Sequence, residues 1–193
     1  MKKRIVPVTL GGAAILLAAL VLGRASAQAG GDVARGKYLV TVGGCNDCHT
    51  PWKLGQNGPE PDMTRLLSGH PEQLTMPPAP TLAKGPWMTT VAGSMTAWAG
   101  PWGVSFTANL TPDPETGLGK WTEKDFIDTL RSGRHLGRGR AILPPMPWQN
   151  YGTMTDDDLR AVFAYLRSIP AIRNRVPEPR PPAVAAAQGK PAR

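Results

Sequence analysis

Cys45-Asn46-Asp47-Cys48-His49 is the stretch on which the reading of this 193-residue chain turns. Two thiols separated by two residues lie on one helical turn, spaced to add across the two vinyl groups of a haem as thioethers. The adjacent imidazole then faces the iron from one side. The same residues also fit a thiol-disulfide exchange pair. A zinc site is a third chemistry, and it would have to recruit His70 or His135 across long loops. Cys45 and Cys48 are the only cysteines in the chain, which excludes a scaffold of several disulfides.

The start of the chain favours the haem chemistry. Lys2, Lys3 and Arg4 form a basic start, Leu10 to Leu22 an apolar run, and Ala25-Ser26-Ala27 a small-residue cleavage site. Residues 1–27 are therefore expected to be a secretory signal and the location periplasmic. The apolar run is short against the roughly 20 residues a membrane span needs. Cleavage would leave no span, and an uncleaved run acting as an N-terminal anchor is the alternative. Lys2, Lys3, Arg4 and Arg24 leave with the signal, so the 22 basic residues fall to 18 against 14 acidic ones and the net charge from +8 to +4. A balance that mild does not call for a nucleic-acid partner. A hydrophobic content of 41% with six tryptophans excludes disorder of the whole chain.

Outward from the motif, Val33, Leu39 and Val40 are spaced as on a short helix over Asp32 to Val42, which stops at Gly43-Gly44. Thr50 to Lys120 holds eleven of the 21 prolines and nine of the 22 glycines, so no long helix is expected there. No strand pattern of useful length is visible either, and so long a loop implies packing on a ligand. Thr122 and Asp125 suggest a capping box for a helix carrying Phe126, Ile127 and Leu130, with Gly133 as its stop. Thr155 caps a last helix with Asp156, Asp157 and Asp158 in the first turn, Leu159, Val162, Phe163 and Leu166 on one face, and Pro170 beyond its end. The expected division is 1–27 signal, 28–176 haem domain, and 177–193 a disordered Pro/Ala-rich tail with five prolines in 17 residues. The expected fold class is all-α, three to four main helices around one covalently held haem c, with a long Pro/Gly/Trp-rich insertion.

An iron held by His49 has a sixth position. The candidate is Met146 in Leu143-Pro144-Pro145-Met146-Pro147-Trp148, where prolines fix the backbone and leave the thioether presented from a rigid loop. Met76 is the second choice, a bis-imidazole site through His70 or His135 a third, and Met63, Met88 and Met95 are expected to pack. Pro59 is a candidate to offer its carbonyl to the other nitrogen of His49. Trp121 and Arg134 are candidate contacts for the haem propionates. Arg131, Arg134, Arg138 and Arg140 put four positive charges in ten residues, by default a solvated basic loop, otherwise propionate partners or a docking face for an acidic partner. The insert around Trp87, Trp98 and Trp102 either covers the haem edge or meets a partner.

Cys45 to His49, Asn109-Leu110-Thr111-Pro112-Asp113, Gly117-Leu118-Gly119-Lys120-Trp121, Arg131-Ser132-Gly133-Arg134-His135, Pro145-Met146-Pro147 and the ending from Asp158 to Leu166 together resemble a bacterial class I c-type cytochrome. The resemblance is to the haem domains in the cytochrome subunits of periplasmic alcohol and aldehyde dehydrogenases. It covers about Asp32 to Val176. It implies His49 and Met146 as axial iron ligands, and a crossing of the first and last helices in which Gly36 and Tyr38 meet Phe163, Tyr165 and Leu166. Those subunits commonly carry three haems, and this chain has one such motif. The implied activity is one-electron transfer between a dehydrogenase or quinol-linked donor and an oxidase or cytochrome acceptor, with no catalytic residues. Two alternatives stand beside a free carrier: a stable electron-transfer subunit of a dehydrogenase complex, and a haem enzyme or ligand sensor with an open or displaceable sixth position.

Overall fold

The structure is a computed structural model and describes residues 32–82 and 85–182. The expected signal and the tail beyond Pro182 lie outside the described residues. Among those described, no helix is long and apolar enough to cross a membrane.

Helix α1 covers residues 32–42, as its spacing predicts, and buries Gly36 and Val40 one turn apart. Helix α2, Cys45–His49, follows after the turn at Gly43-Gly44 and carries the motif. Helix α3, Glu123–Ser132, starts at the capping box of Thr122 and Asp125, with both reciprocal bonds made. It stops at Gly133, whose φ of 65° is the left-handed conformation that glycine adopts without a side-chain penalty. Helix α4, Trp148–Tyr151, is a single turn. Helix α5, Asp156–Ser168, is capped by Thr155, whose hydroxyl accepts from the Asp158 N–H, and its three first-turn aspartates sit at the positive end of the helix dipole.

The apolar stripe of α5 is the centre of the core. Leu159, Val162, Phe163 and Leu166 are buried against Val40 of α1, Phe126 and Leu130 of α3, and Leu67 and Leu118 from the connecting chain. The Phe126 and Phe163 rings lie 5.3 Å apart. Each such side chain fully removed from water contributes about 1.5–3 kcal/mol. Helices α1 and α5 cross at Gly36, where a Cβ would meet the Ala161 carbonyl and stand 2.8 Å from the Tyr165 Cβ. Tyr38 does not join that crossing. Two residues advance about 200° around a helix, so Tyr38 points outward, 58% exposed, with the Arg35 guanidinium 5.8 Å from its ring.

The all-α expectation needs correction in the insertion, which contains two small antiparallel sheets. Strands β1 (Trp52–Gly55) and β2 (Gly58–Pro61) form a hairpin. Strands β3 (Thr90–Val91), β4 (Ala97–Gly100) and β5 (Gly103–Phe106) form a sheet in that order, β4 and β5 closing through Pro101-Trp102. Each strand has two to four residues, too few for a period of two to show in sequence. The chain past Val176 also takes part. Val104 and Arg180 exchange both backbone hydrogen bonds, at 2.8 and 2.9 Å, so the first residues of the expected tail lie along the free edge of β5.

Candidate haem site

Helix α2 is one turn and a half long, which places Cys45 and Cys48 together and His49 next to them. The cysteines are free thiols, both partly buried. Burial pushes the Cys45 thiol up to about 11, assisted by the charge of Asp47, and raises Cys48 for the same reasons. A thiol-disulfide exchanger needs the opposite, a thiolate stabilised near neutral pH.

His49 is buried, and its Nδ1–H donates to the Ala108 carbonyl at 2.8 Å. A carbonyl only accepts, so Nδ1 carries the proton and the lone pair stays on Nε2. Burial holds the ring below the usual histidine range, against the opposing pull of that hydrogen bond. The neutral ring, with one nitrogen anchored and the other available, is the form a metal ligand takes. Ala108 therefore fills the role that the sequence assigns to Pro59. Pro59 instead pairs with Leu54 in the exposed β1–β2 hairpin. A backbone carbonyl 59 residues away leaves no mark in residue identity, so no pattern could have revealed it.

Met146 follows the Pro144-Pro145 bond, which is cis. The chain leading into it is tied down twice: the Ile142 N–H donates to the Gly133 carbonyl at 2.8 Å, and the Ser105 hydroxyl to the Pro144 carbonyl at 2.6 Å. Met146 and Cys45 both pack, half-buried, against the one apolar core. Tyr151 closes the neighbourhood by donating its hydroxyl to the Gly43 carbonyl beside the motif.

The other candidates are engaged elsewhere. Both ring nitrogens of His70 are spent, Nδ1 on the Thr96 hydroxyl at 3.0 Å and Nε2 on the Leu74 carbonyl at 2.9 Å. His135 is exposed, edge-on to Trp121 at 5.1 Å. His70 is thereby unavailable to a metal, and among the described residues no group of three His, Cys, Asp or Glu side chains could hold a zinc ion. Met76 lies beside Arg180, which donates to its carbonyl. Met63 and Met88 do not pack as expected and are 63% and 66% exposed. Trp121 packs half-buried on the core, and the Arg134 guanidinium closes its own loop on the Gly139 carbonyl. Arg131 is a brace between helices, bonded to the Gly152 and Met154 carbonyls and to Asp156. Arg138 and Arg140 pair with Asp125 and Glu178. Trp87 is 80% exposed beside an open cavity of about 520 Å³. Trp98 bonds the Met95 carbonyl.

The fit of a haem rests on this donor set: two neutral thiols on one turn, a neutral imidazole of fixed tautomer, and a thioether on the same core. Sequence reasoning missed Asn174 altogether, and of Asn109 it has the stretch but not the buried role; the side chains of both bind the segments around Ala108. Asparagine in a loop reads as a turn former, and nothing local marks it as buried.

No family model matches the chain. It is 29% identical over 86% of its length to the cytochrome c subunit of a quinone alcohol dehydrogenase of Gluconobacter oxydans. It is 30% identical over 76% to the gluconate 2-dehydrogenase cytochrome c subunit of Pantoea cypripedii. A diheme cytochrome c-type protein of Cereibacter sphaeroides is 27% identical over 77%. The chain spans 28%, 27% and 40% of these relatives' own lengths.

Proposed function

We propose that this chain, a c-type cytochrome similar to the cytochrome subunits of dehydrogenases, is the electron-transfer subunit of a periplasmic dehydrogenase complex and is not itself catalytic. The single observation that carries the reading is the His49 Nδ1–H bond to Ala108, which leaves Nε2 as a ligand beside two attachable thiols. The relatives' kinship with dehydrogenase subunits favours a standing partner over a freely diffusing carrier. Within it, Cys45 and Cys48 would hold one haem c covalently, and His49 and Met146 would bind its iron. When bound, the haem supplies a reversible one-electron iron couple.

The chain's own residues do the rest. The Ala108 carbonyl fixes the His49 tautomer and raises the ring's basicity. Met146, a soft donor, favours the reduced metal and sets the potential upward. The core of α1, α3 and α5 excludes water from one side. Electrons arrive from a dehydrogenase and leave to a downstream oxidase or cytochrome.

The test is an optical spectrum, oxidised and reduced, of the chain matured with haem-attachment machinery, repeated for Met146→Ala. A c-type spectrum whose weak far-red sulfur-to-iron band vanishes in the variant is expected. A chain without covalent haem would sink the reading, and a band that survives in the variant would move the sixth ligand to another sulfur. Co-purification of a dehydrogenase with the tagged chain is expected for the subunit. Recovery of the chain alone favours the diffusing carrier.

A further inference from the structure

We infer that Gly69 and Asn174 are positioning residues for His49: they hold the Ala108 carbonyl at Nδ1 and so set how strongly the imidazole donates to a bound metal. The inference rests on the haem reading above.

His49 and Ala108 meet although 59 residues separate them, and the loop Leu67–His70 is the spacer between their segments. On one side the Gly69 N–H donates to the backbone carbonyl of His49 at 2.8 Å, and the Leu67 N–H to the Thr50 hydroxyl at 3.0 Å. On the other side the His70 N–H donates to the Thr107 carbonyl at 3.0 Å, and the Leu67 carbonyl accepts from the Leu110 N–H at 2.9 Å. The loop thus has one edge on the end of α2 and the other on the segment that presents Ala108.

Gly69 lies at the closest point. A Cβ there would stand 2.6 Å from both the carbonyl carbon and the carbonyl oxygen of Ala108, the oxygen that bonds His49. Its φ of 75° also belongs to glycine's range. Leu67, with no exposed surface, is left-handed too, at φ 58°. Two such residues in three mark a loop wound against its local preference and held by its surroundings.

Asn174 is what holds it. Its side chain is 1% exposed and uses its full capacity: Nδ2 donates to the Ser68 and His70 carbonyls at 2.6 and 2.9 Å, and Oδ1 accepts from Arg65 Nη2 at 2.9 Å and the Glu72 N–H at 2.8 Å. One amide therefore fixes the residues on both sides of Gly69. Asn109, next to Ala108, donates to the Asn174 carbonyl at 3.4 Å and to that of Ile172 at 2.8 Å, so the two asparagines grip both sides of the contact.

The bond from Nδ1–H to a carbonyl makes an imidazole a stronger donor and favours the oxidised metal. Loosening it favours the reduced one. The experiment compares the holo-protein with Gly69→Ala and Asn174→Leu, reading the midpoint potential and the ¹⁵N-edited resonance of the His49 Nδ1–H in the reduced state. Leucine has the branched shape of asparagine but carries neither donors nor charge, so it carries the test if Gly69→Ala does not fold. Thr155→Ala, which weakens α5 far from the loop, is the control for lost stability.

The expected result is a raised potential in both variants, by up to a tenfold shift in the ferric–ferrous equilibrium, about 59 mV for one electron. The Nδ1–H resonance should move with it, and Thr155→Ala should leave both readouts unchanged. An unmoved potential and resonance in the folded variants would overturn the inference and leave the loop a purely structural spacer. An equal shift in Thr155→Ala overturns it as well. A wild-type chain that takes up no haem overturns the functional reading itself, and is recognised before any variant is made.

Discussion

The helical frame and the segment from Thr50 to Lys120 bury opposite kinds of side chain. Around α1, α3 and α5 the buried set is Val40, Phe126, Leu130, Leu159, Val162, Phe163 and Leu166. In and against the insertion it is largely Thr50, Ser68, His70, Thr96, Ser105, Asn109, Thr111, Asp113 and Asn174. An apolar core is non-directional and tolerates shape changes at the cost of cavities. A polar core is held by directional bonds, and each group left without a partner costs stability. The frame can therefore be rebuilt from many hydrophobic sequences, whereas the insertion depends on particular hydrogen bonds, among them those around His49.

That contrast can be broken at either end. The largest expected effect is Leu159→Ala, at a position with no exposed surface, which should cost about 4 kcal/mol in denaturant unfolding of the holo-protein. Asn174→Ala should cost about 3 kcal/mol, because it strands two carbonyls, a backbone N–H and the Arg65 Nη2 that it now satisfies. A cost near zero there would mean that the insertion is not held by its polar core.

The next effect is one of pH. Burial holds His70 below its ordinary value, with Arg180 and Arg65 adding to the depression and the Leu74 carbonyl opposing it. The unfolded chain therefore takes up the proton first, and the stability His70 contributes is complete above about pH 6.5 and lost as the pH falls through its lower folded value. Melting curves at pH 7 and 5 should show a smaller acid loss for His70→Gln than for wild type. An identical loss would remove His70 from the account. The smallest effect is Thr155→Ala, which loses one α5 cap and should cost about 1 kcal/mol.

The frame was legible because its signals are local. Thr122 with Asp125, Gly133, Thr155 and the stripe from Leu159 to Leu166 each act within a few residues, and each does in the structure what its spacing predicts. The insertion reads as loop in sequence, and its two sheets stay hidden because strands of two to four residues carry no readable period. Within the site, the thiol pair and the imidazole are adjacent in the chain. The partner of that imidazole is the Ala108 carbonyl and not the candidate Pro59, since a carbonyl is chemically the same at every position.

What the sequence determined by itself is the chemistry: two thiols and an imidazole on one helical turn, a thioether bracketed by prolines, and helices whose caps and apolar faces are written residue by residue. Tertiary structure decided how the imidazole is held. The hydrogen bond from His49 to Ala108 depends on a loop with left-handed Leu67 and Gly69 and on an asparagine more than 100 residues from that loop. Backbone groups carry no side-chain identity, so only the packing of segments distant in the chain could select which carbonyl faces the ring.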